Sequence, residues 1–572
     1  MTEHVMESFG RPWSVSRPAI AALRGAGIGL AAIAALRMLA GSATCGGTPV
    51  PHKPLEGFVD LHTHPVANVG FGGKLVYGGA SVGALLPTDP DCQSRVMATS
   101  EAHALGHDRA VHGGWDPFHN GCGDTIREQI IHEIQNSLHG ADSPSDALGF
   151  PTFQHWPVWN DLTHQKMWVE WVRRSFTGGL HVMVALAVNN KTLGDLVSGP
   201  GDLPTDDKAS TDLQIDEIKR LVTGSDFMEI ALSAADVERI VSIPKLAVVI
   251  GVEVDHIGNL QTGPNPGAPS ISTLKAEINR LYNAGVRYIF PIHLLDNAFG
   301  GTAAYEDLFN VSNFRESGAP WQLTCAAPGD GIAYTYKQPG ALEFAVSLVK
   351  LGAAFIPGAG PSCATGQRNS SALTRVGPEG IREMMRLGML IDIDHMSQNS
   401  VDQALAVAEA VPGGYPLNSG HNNVRGGSST ERSLTAAQYQ RIGALHGIAG
   451  VGSSGQDAAA WLALHQQVTA AMGTGAVAAF GTDTNGFGLG MPPRVGSAVQ
   501  YTAAFPASKD GPRTWDYNRE GVAHYGMLPD FLMDVAALPG GGAVVNNVMS
   551  SAEYFYQTWR KAEIQRYRVD SH

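Results

Sequence analysis

The chain has 572 residues, 44% hydrophobic and 16% charged, which is enough apolar side chain to bury a large core and excludes disorder as its general state. Its 39 Lys+Arg against 53 Asp+Glu leave a net charge of −14, and no long basic run occurs, which excludes nucleic acid as the main partner. The 68 glycines follow no fixed period, which excludes collagen and solenoid architectures and points to many tight loops.

The first segment, residues 1–45, carries Arg11 and Arg17 and then an apolar stretch from Ala19 to Ala40, with small residues after it. That is the layout of an export signal, and the run from Gly25 to Leu36 is short for a membrane span of roughly 20 residues. Cleavage after Ala43, lipid attachment at Cys45 and retention as an uncleaved anchor all fit it. The expected location is outside the cell or in the cell envelope, in a bacterium, with the membrane touched only through this segment. Cys92, Cys122, Cys325 and Cys363 then face an oxidising compartment, and the pairings nearest in sequence are Cys92 with Cys122 and Cys325 with Cys363. No CxxC or Cys/His finger spacing supports a thiolate zinc cluster.

From Phe58 onward, short runs that are apolar almost throughout alternate with amphipathic helical stretches, as in a parallel sheet covered on both faces. The candidate strands are 57–62, 181–188, 246–253, 286–293, 353–358, 388–395, 447–453 and 476–483. Helical patterns stand at 215–222, 233–241, 274–285, 379–388 and 435–447, most with a glycine at or just beyond the end. These elements predict an α/β fold, a (β/α)8 TIM-type barrel built from 55–70 and 180–486 with long insertions at its active-site face. Residues 71–179 form an insertion after the first strand, and 487–572 a C-terminal loop and helices packing on the barrel. The insertion carries His103, His107, His112 and His119 with Trp115 and Phe118, which favour an aromatic lid over a second metal site. Trp156, Trp159, Trp168 and Trp171 are expected to pack the insertion onto the barrel.

The ionisable residues fall where a barrel does its chemistry. His62 and His64, Glu253, His293, His395 and Asp483 each close a candidate strand, the C-terminal end that forms a barrel's active face. Residues two apart on a strand point the same way, so His62 and His64 can present two imidazoles to one ion. Glu253 ends an aliphatic strand, where a carboxylate is costly to bury without a cation. His395 and His421, the latter just past an expected turn, add two nitrogens. A single catalytic zinc takes about three protein ligands and a water. Four histidines and one carboxylate therefore suit two divalent ions, zinc first among them, bridged by Glu253, and imply hydrolysis of an amide or ester.

The segments 234–253, 281–300, 380–397 and 419–438, with Gly-Thr-Asp-Thr-Asn-Gly at 481–486, resemble the renal (membrane) dipeptidase family of the amidohydrolase superfamily, binuclear zinc (β/α)8 peptidases. The resemblance runs over roughly 180–455, with the motifs in the family's order. It implies that His62 binds one metal, that Glu253 bridges both, and that His395 and His421 bind the second. It further implies that His293 contacts the substrate or its tetrahedral intermediate, that Arg432 clamps a substrate carboxylate, and that Asp483 handles the proton between water and leaving amine. Departures touch substrate identity: His62-Thr63-His64 replaces the family's His-x-Asp, Asn485 replaces a second acidic residue, and the long insertion is extra.

The expected function is a dipeptidase-like metallohydrolase acting on a small carboxylate-bearing substrate. A lactonase, esterase or N-acyl amide hydrolase on the same site is the second reading, and a barrel that holds metal without turnover the third. Oligomeric state stays open, a homo-oligomer included.

Overall fold

The computed structural model describes residues 52–105 and 157–570, apart from 74, 77, 89–93, 161, 163, 198–202, 262–267, 338–359, 427–428 and 485. Two strands set its frame. β2 (Leu180–Asn189) and β3 (Leu246–Val254) are aliphatic, almost wholly buried, and pair in parallel from Val182↔Ala247 to Asn189↔Val254. Strands that are apolar on both faces need cover on both, and the helices supply it. β1 (Phe58–Thr63) lies on the other side of β2, and β4 (Tyr288–Ile289) and β5 (Leu390–Ile391) follow β3. β6 (Ser419–Asn422), β7 (Ala449–Gly452) and β8 (Ala478–Gly481) return to β1, where Asp60 pairs with Phe480.

The ring closes between β5 and β6. Asp392 bridges Asn418 in parallel, Ile393 N–H donates to the Asn418 carbonyl at 3.0 Å, and Asn418 N–H donates to the Ile391 carbonyl at 2.9 Å. The result is an eight-stranded parallel barrel in chain order, the fold expected, and a further short strand, Met228–Ile230, pairs with the start of β3. The candidate strand 353–358 lies outside the described residues. The ring is complete without it, because Ser419–Asn422, read in sequence as a segment after a turn, is a strand.

The helices start where side chains can take up their free N–H groups. Asp206, Ser233, Ser270, Ser397 and Asp457 each accept such a bond at a helix N-terminus, and Thr435 with Gln438 forms a reciprocal capping box. All five helical patterns read from the sequence are helices here: Asp207–Thr223, Ala234–Ser242, Ile271–Asn283, Gly377–Arg386 and Ala436–Ala444. Gly285, with φ 105°, turns the chain from one of them into β4.

Around the barrel, Leu323–Cys325 pairs antiparallel with Gln367–Asn369, and the Cys325–Cys363 disulfide ties this hairpin. Cys92 and Cys122 lie outside the described residues, as do His107, His112, Trp115, Phe118, His119 and Trp156. Helix Val169–Thr177 leads into β2, and Trp168 and Trp171 are buried. The Trp171 ring stacks on His524, 4.5 Å between centroids, and its indole N–H donates to Asp510 at 3.1 Å. The final helix, Ser551–Gln565, covers the foot of β1, where Val59 N–H donates to Ser551 Oγ at 2.9 Å. No helix among the described residues is long and apolar enough to cross a membrane.

Candidate metal centre

The C-terminal ends of the strands bring seven ionisable side chains together. Glu253, the penultimate residue of β3, is buried at the centre. His62 Nε2, from β1, stands 2.9 Å from Glu253 Oε2, and His64 Nε2, just past that strand, 3.3 Å from the same oxygen. On the other carboxylate oxygen, Oε1, His395 Nε2 stands at 3.1 Å and His293 Nε2 at 3.9 Å. His395 Nε2 and His421 Nε2 face each other at 3.0 Å. Asp483 Oδ1 lies 3.5 Å from His62 Nε2 and 3.3 Å from His64 Nε2. His395 (φ 65°) and Asp483 (φ 51°) hold a left-handed backbone, a conformation that costs a side-chain-bearing residue energy and concentrates at functional positions.

Three sets of these groups each fit one ion: His62 with Glu253 and His421, His62 with His64 and Asp483, and Glu253 with His293 and His395. The hydrogen bonding shows why a cation suits them. His64 Nδ1 faces the Leu186 carbonyl at 3.2 Å, and His421 Nδ1 faces Asp394 Oδ2 at 3.1 Å. Those contacts turn the Nδ1 atoms away from the centre and leave the Nε2 atoms facing inward. Buried and inward, His64 Nε2 and Glu253 Oε1 make no well-directed hydrogen bond, although charged or polar partners stand about them. The Nε2 atoms of His395 and His421, 3.0 Å apart, can share a proton or flank a cation.

The protein alone distributes charge unevenly over this cluster. Burial holds His62 down at about 4 and His395 down at about 3, against the pull of Glu253. Burial works the same way on His64, but hydrogen bonds to Asp483 and Glu253 overcome it and push the imidazole up to about 9. Burial opposes ionisation of Glu253 as well, yet the surrounding histidines hold it well below the usual carboxylate range. Of the two carboxylates, Asp483 is the open one, 26% exposed against 2% for Glu253, so it is the one a substrate can reach.

A second tier of residues fixes this ring. Asp394 accepts from His421 N–H at 2.8 Å and from the Ser419 hydroxyl at 2.6 Å, as well as facing the imidazole. Asp255 Oδ1 stands 3.1 Å from His293 Nδ1 and accepts from Leu294 N–H at 3.0 Å. The Tyr305 hydroxyl lies 3.1 Å from His395 Nδ1. Arg432, half-buried, reaches toward the rim: its guanidinium points at the His421 carbonyl at 3.5 Å, and its Cζ lies 5.7 Å from the Tyr305 ring centre. The structure therefore gathers His62, His64, Glu253, His293, His395, His421 and Asp483 within one cluster and sets Arg432 beside it. Sequence reasoning did not single out Asp255, Asp394 or Tyr305. The one available signal was Asp394, two residues beyond Asp392 and directly before His395 at a strand end.

Part of the chain that carries this cluster resembles a known family. Residues 345–470 match the model of the membrane dipeptidase family, peptidase family M19. That region of the chain is similar to the membrane dipeptidase family. The matched span contains His395, His421 and Arg432, while His62, His64, Glu253, His293 and Asp483 lie outside it. Solved structures similar to this chain include an amidohydrolase from Pseudomonas aeruginosa, 13% identical, covering 69% of this chain and 92% of its own, with a TM-score of 0.41. They also include a metallopeptidase from Rhodobacter sphaeroides liganded with a phosphinate mimic of the dipeptide L-Ala-D-Ala, 13% identical over 68% and 89%, TM-score 0.41. A third is the probable dipeptidase PvdM from Pseudomonas aeruginosa, 12% identical over 70% and 89%, TM-score 0.42. No curated protein matches the chain.

Proposed function

We propose that the enzyme hydrolyses the amide bond of a small, dipeptide-like substrate with a free carboxylate, using two divalent ions, zinc by preference, shared through Glu253. The observation that carries this reading is the two-sided environment of Glu253, with His62 and His64 on one oxygen and His395 on the other. His62, His64 and Asp483 would hold one ion, and His395 and His421 the second. When bound, such ions supply Lewis acidity, polarising the scissile carbonyl and acidifying the attacking water.

The remaining work falls to the protein. Asp483, the more exposed of the two carboxylates, takes the proton of the attacking water and returns it to the leaving amine. His293, backed by Asp255 at 3.1 Å, donates from Nε2 to the oxygen that gains charge as the carbonyl becomes tetrahedral. Burial lowers the His293 pKa, but Glu253 and Asp255 outweigh it and raise it above the ordinary value, which keeps that donor protonated. Arg432 presents a planar fork to the substrate carboxylate. Export to the envelope is part of the proposal, supported by the signal-like composition of residues 1–45 and by the Cys325–Cys363 disulfide, a bond suited to an oxidising compartment.

The test is metal analysis of the purified protein together with hydrolysis of a dipeptide panel before and after chelation. Two ions per chain and chelator-sensitive dipeptide cleavage are expected. Two ions with cleavage of esters or lactones alone would replace the amide reading, and absence of bound metal after supplying zinc or manganese would defeat the site assignment.

A further inference from the structure

Directly before Arg432, Glu431 is 1% exposed and touches no part of the metal centre, yet it joins three segments around it. Its Oε2 accepts from Ala304 N–H at 2.9 Å and from Asn369 N–H at 2.7 Å, and its Oε1 accepts from Gln398 N–H at 2.9 Å. These donors belong to the loop carrying Tyr305, to the disulfide-tied hairpin, and to the first turn of the helix that follows His395. The first of these segments is one bond from the centre. Ala303 N–H donates to the His395 carbonyl at 2.7 Å, and the Thr302 hydroxyl donates to the carbonyls of His293 at 2.6 Å and His395 at 2.9 Å.

The backbone around Glu431 is held equally firmly. The Arg425 guanidinium donates to the carbonyls of Glu431 at 2.9 Å and Ser433 at 2.8 Å, and the Asn422 amide donates to the Arg432 carbonyl at 2.7 Å. Burying a carboxylate costs several kcal/mol unless donors satisfy it, so three backbone donors on this one give it a positional role. Arg432 is thus presented from a stretch that Glu431 ties to the segment after His395 and that Arg425 and Asn422 hold along its backbone.

We propose that Glu431 is a positioning residue that sets the distance between the Arg432 guanidinium and the Glu253-centred site, making the enzyme selective for substrates whose carboxylate lies one residue beyond the scissile bond. This rests on the carboxylate-clamp reading of Arg432.

The experiment compares a dipeptide, its C-terminal amide and the corresponding tripeptide on wild type, Glu431→Gln, Arg432→Met and the double variant, with metal content measured for each. For Glu431→Gln, KM for the dipeptide is expected to rise about tenfold with kcat changed less than about twofold. The amide is expected to be unaffected, the preference for dipeptide over tripeptide to shrink, and the metal to be retained. On the Arg432→Met background the Glu431 change should add nothing, since both act through one contact. Equal losses on all three substrates, loss of metal, or no change at all would overturn the proposal. Should Glu431→Gln fail to fold, Arg425→Met releases the same backbone while leaving the Glu431 side chain and its three N–H donors in place. It should give the same selective KM rise, smaller in size, and a folded Arg425→Met with unchanged KM overturns the proposal. If Arg432→Met itself does not separate the dipeptide from its amide, the clamp reading fails independently of Glu431.

Discussion

His64 Nε2 lies 3.3 Å from both Glu253 Oε2 and Asp483 Oδ1, so in the metal-free protein its proton neutralises two carboxylates at once. With its pKa pushed up to about 9, His64 is an imidazolium at neutral pH, and an ion can take its place only by displacing that proton. Metal loading at pH 7 should therefore release about one proton per chain from this residue, measured by calorimetry in buffers of differing ionisation enthalpy; His64→Asn should abolish the release. Asp394 acts one contact further out. Burial disfavours its charge, but hydrogen bonds from His421 and Ser419 prevail and hold it below its ordinary 3.8. A depressed folded pKa contributes stability that is complete above that ordinary value and is lost as pH falls below it. Asp394→Asn should accordingly flatten the acid limb of the metal-free protein's stability curve, followed by circular dichroism, and weaken metal binding by about 10- to 100-fold, the usual cost of removing the partner of a ligating imidazole. Among the candidate ligands, His62, Glu253 and His395 were legible in the sequence because each stands at the end of an apolar run, whereas His421 was read from the turn before it. Asp394, Asp255, Tyr305 and Glu431 were not, because each acts on another residue of the site, and a contact between distant segments leaves no local pattern.

Strands β6, β7 and β8 carry an inward glycine each, Gly420, Gly450 and Gly481. A Cβ on Gly481 would run into the Gly420 carbonyl oxygen and the Cα of His421, and one on Gly450 into the same oxygen. Absence of side chains there lets β6 and β8 approach across the barrel interior, which brings the His62 and His421 rings to 3.8 Å between centroids. Gly481→Ala should thus spread the strands, lowering the melting temperature and the bound metal together; a variant that melts earlier but keeps its full metal complement would show the approach to be dispensable for the site. The same chemistry explains where strand reading fell short. An element such as Ser-Gly-His-Asn has no aliphatic run to announce it, because its role is to bury polar ligands and to yield space, while the long aliphatic β2 and β3 were plain. Each of the five helical patterns named from periodicity is a helix, since each must bury one apolar stripe on the barrel, whereas helices such as Gln398–Glu409 and Ala458–Met472 were not named.

At the scale of the whole molecule, the barrel depends on a segment remote in sequence from its first strand. Gly57 N–H donates to the Met549 carbonyl at 2.9 Å, Val59 N–H to Ser551 Oγ at 2.9 Å, and Ala552 N–H to the Gly57 carbonyl at 3.2 Å. Val545, Val548, Phe555 and Trp559 are buried in this seam. At roughly 1.5–3 kcal/mol for each such side chain, they represent about 10 kcal/mol, comparable with the whole margin of about 5–15 kcal/mol that keeps a protein folded. Removing them would also uncover three backbone groups at the foot of β1, the strand that leads to His62 and His64. A chain ending at residue 540 should consequently show no cooperative unfolding transition and bind no stoichiometric metal. The measurement is a thermal melt with metal analysis beside the full chain. Because the seam lies at the end of the barrel opposite the ligands, a soluble product that melts near the full chain's temperature and retains its ions would mean that the ring of eight strands stands without this cover.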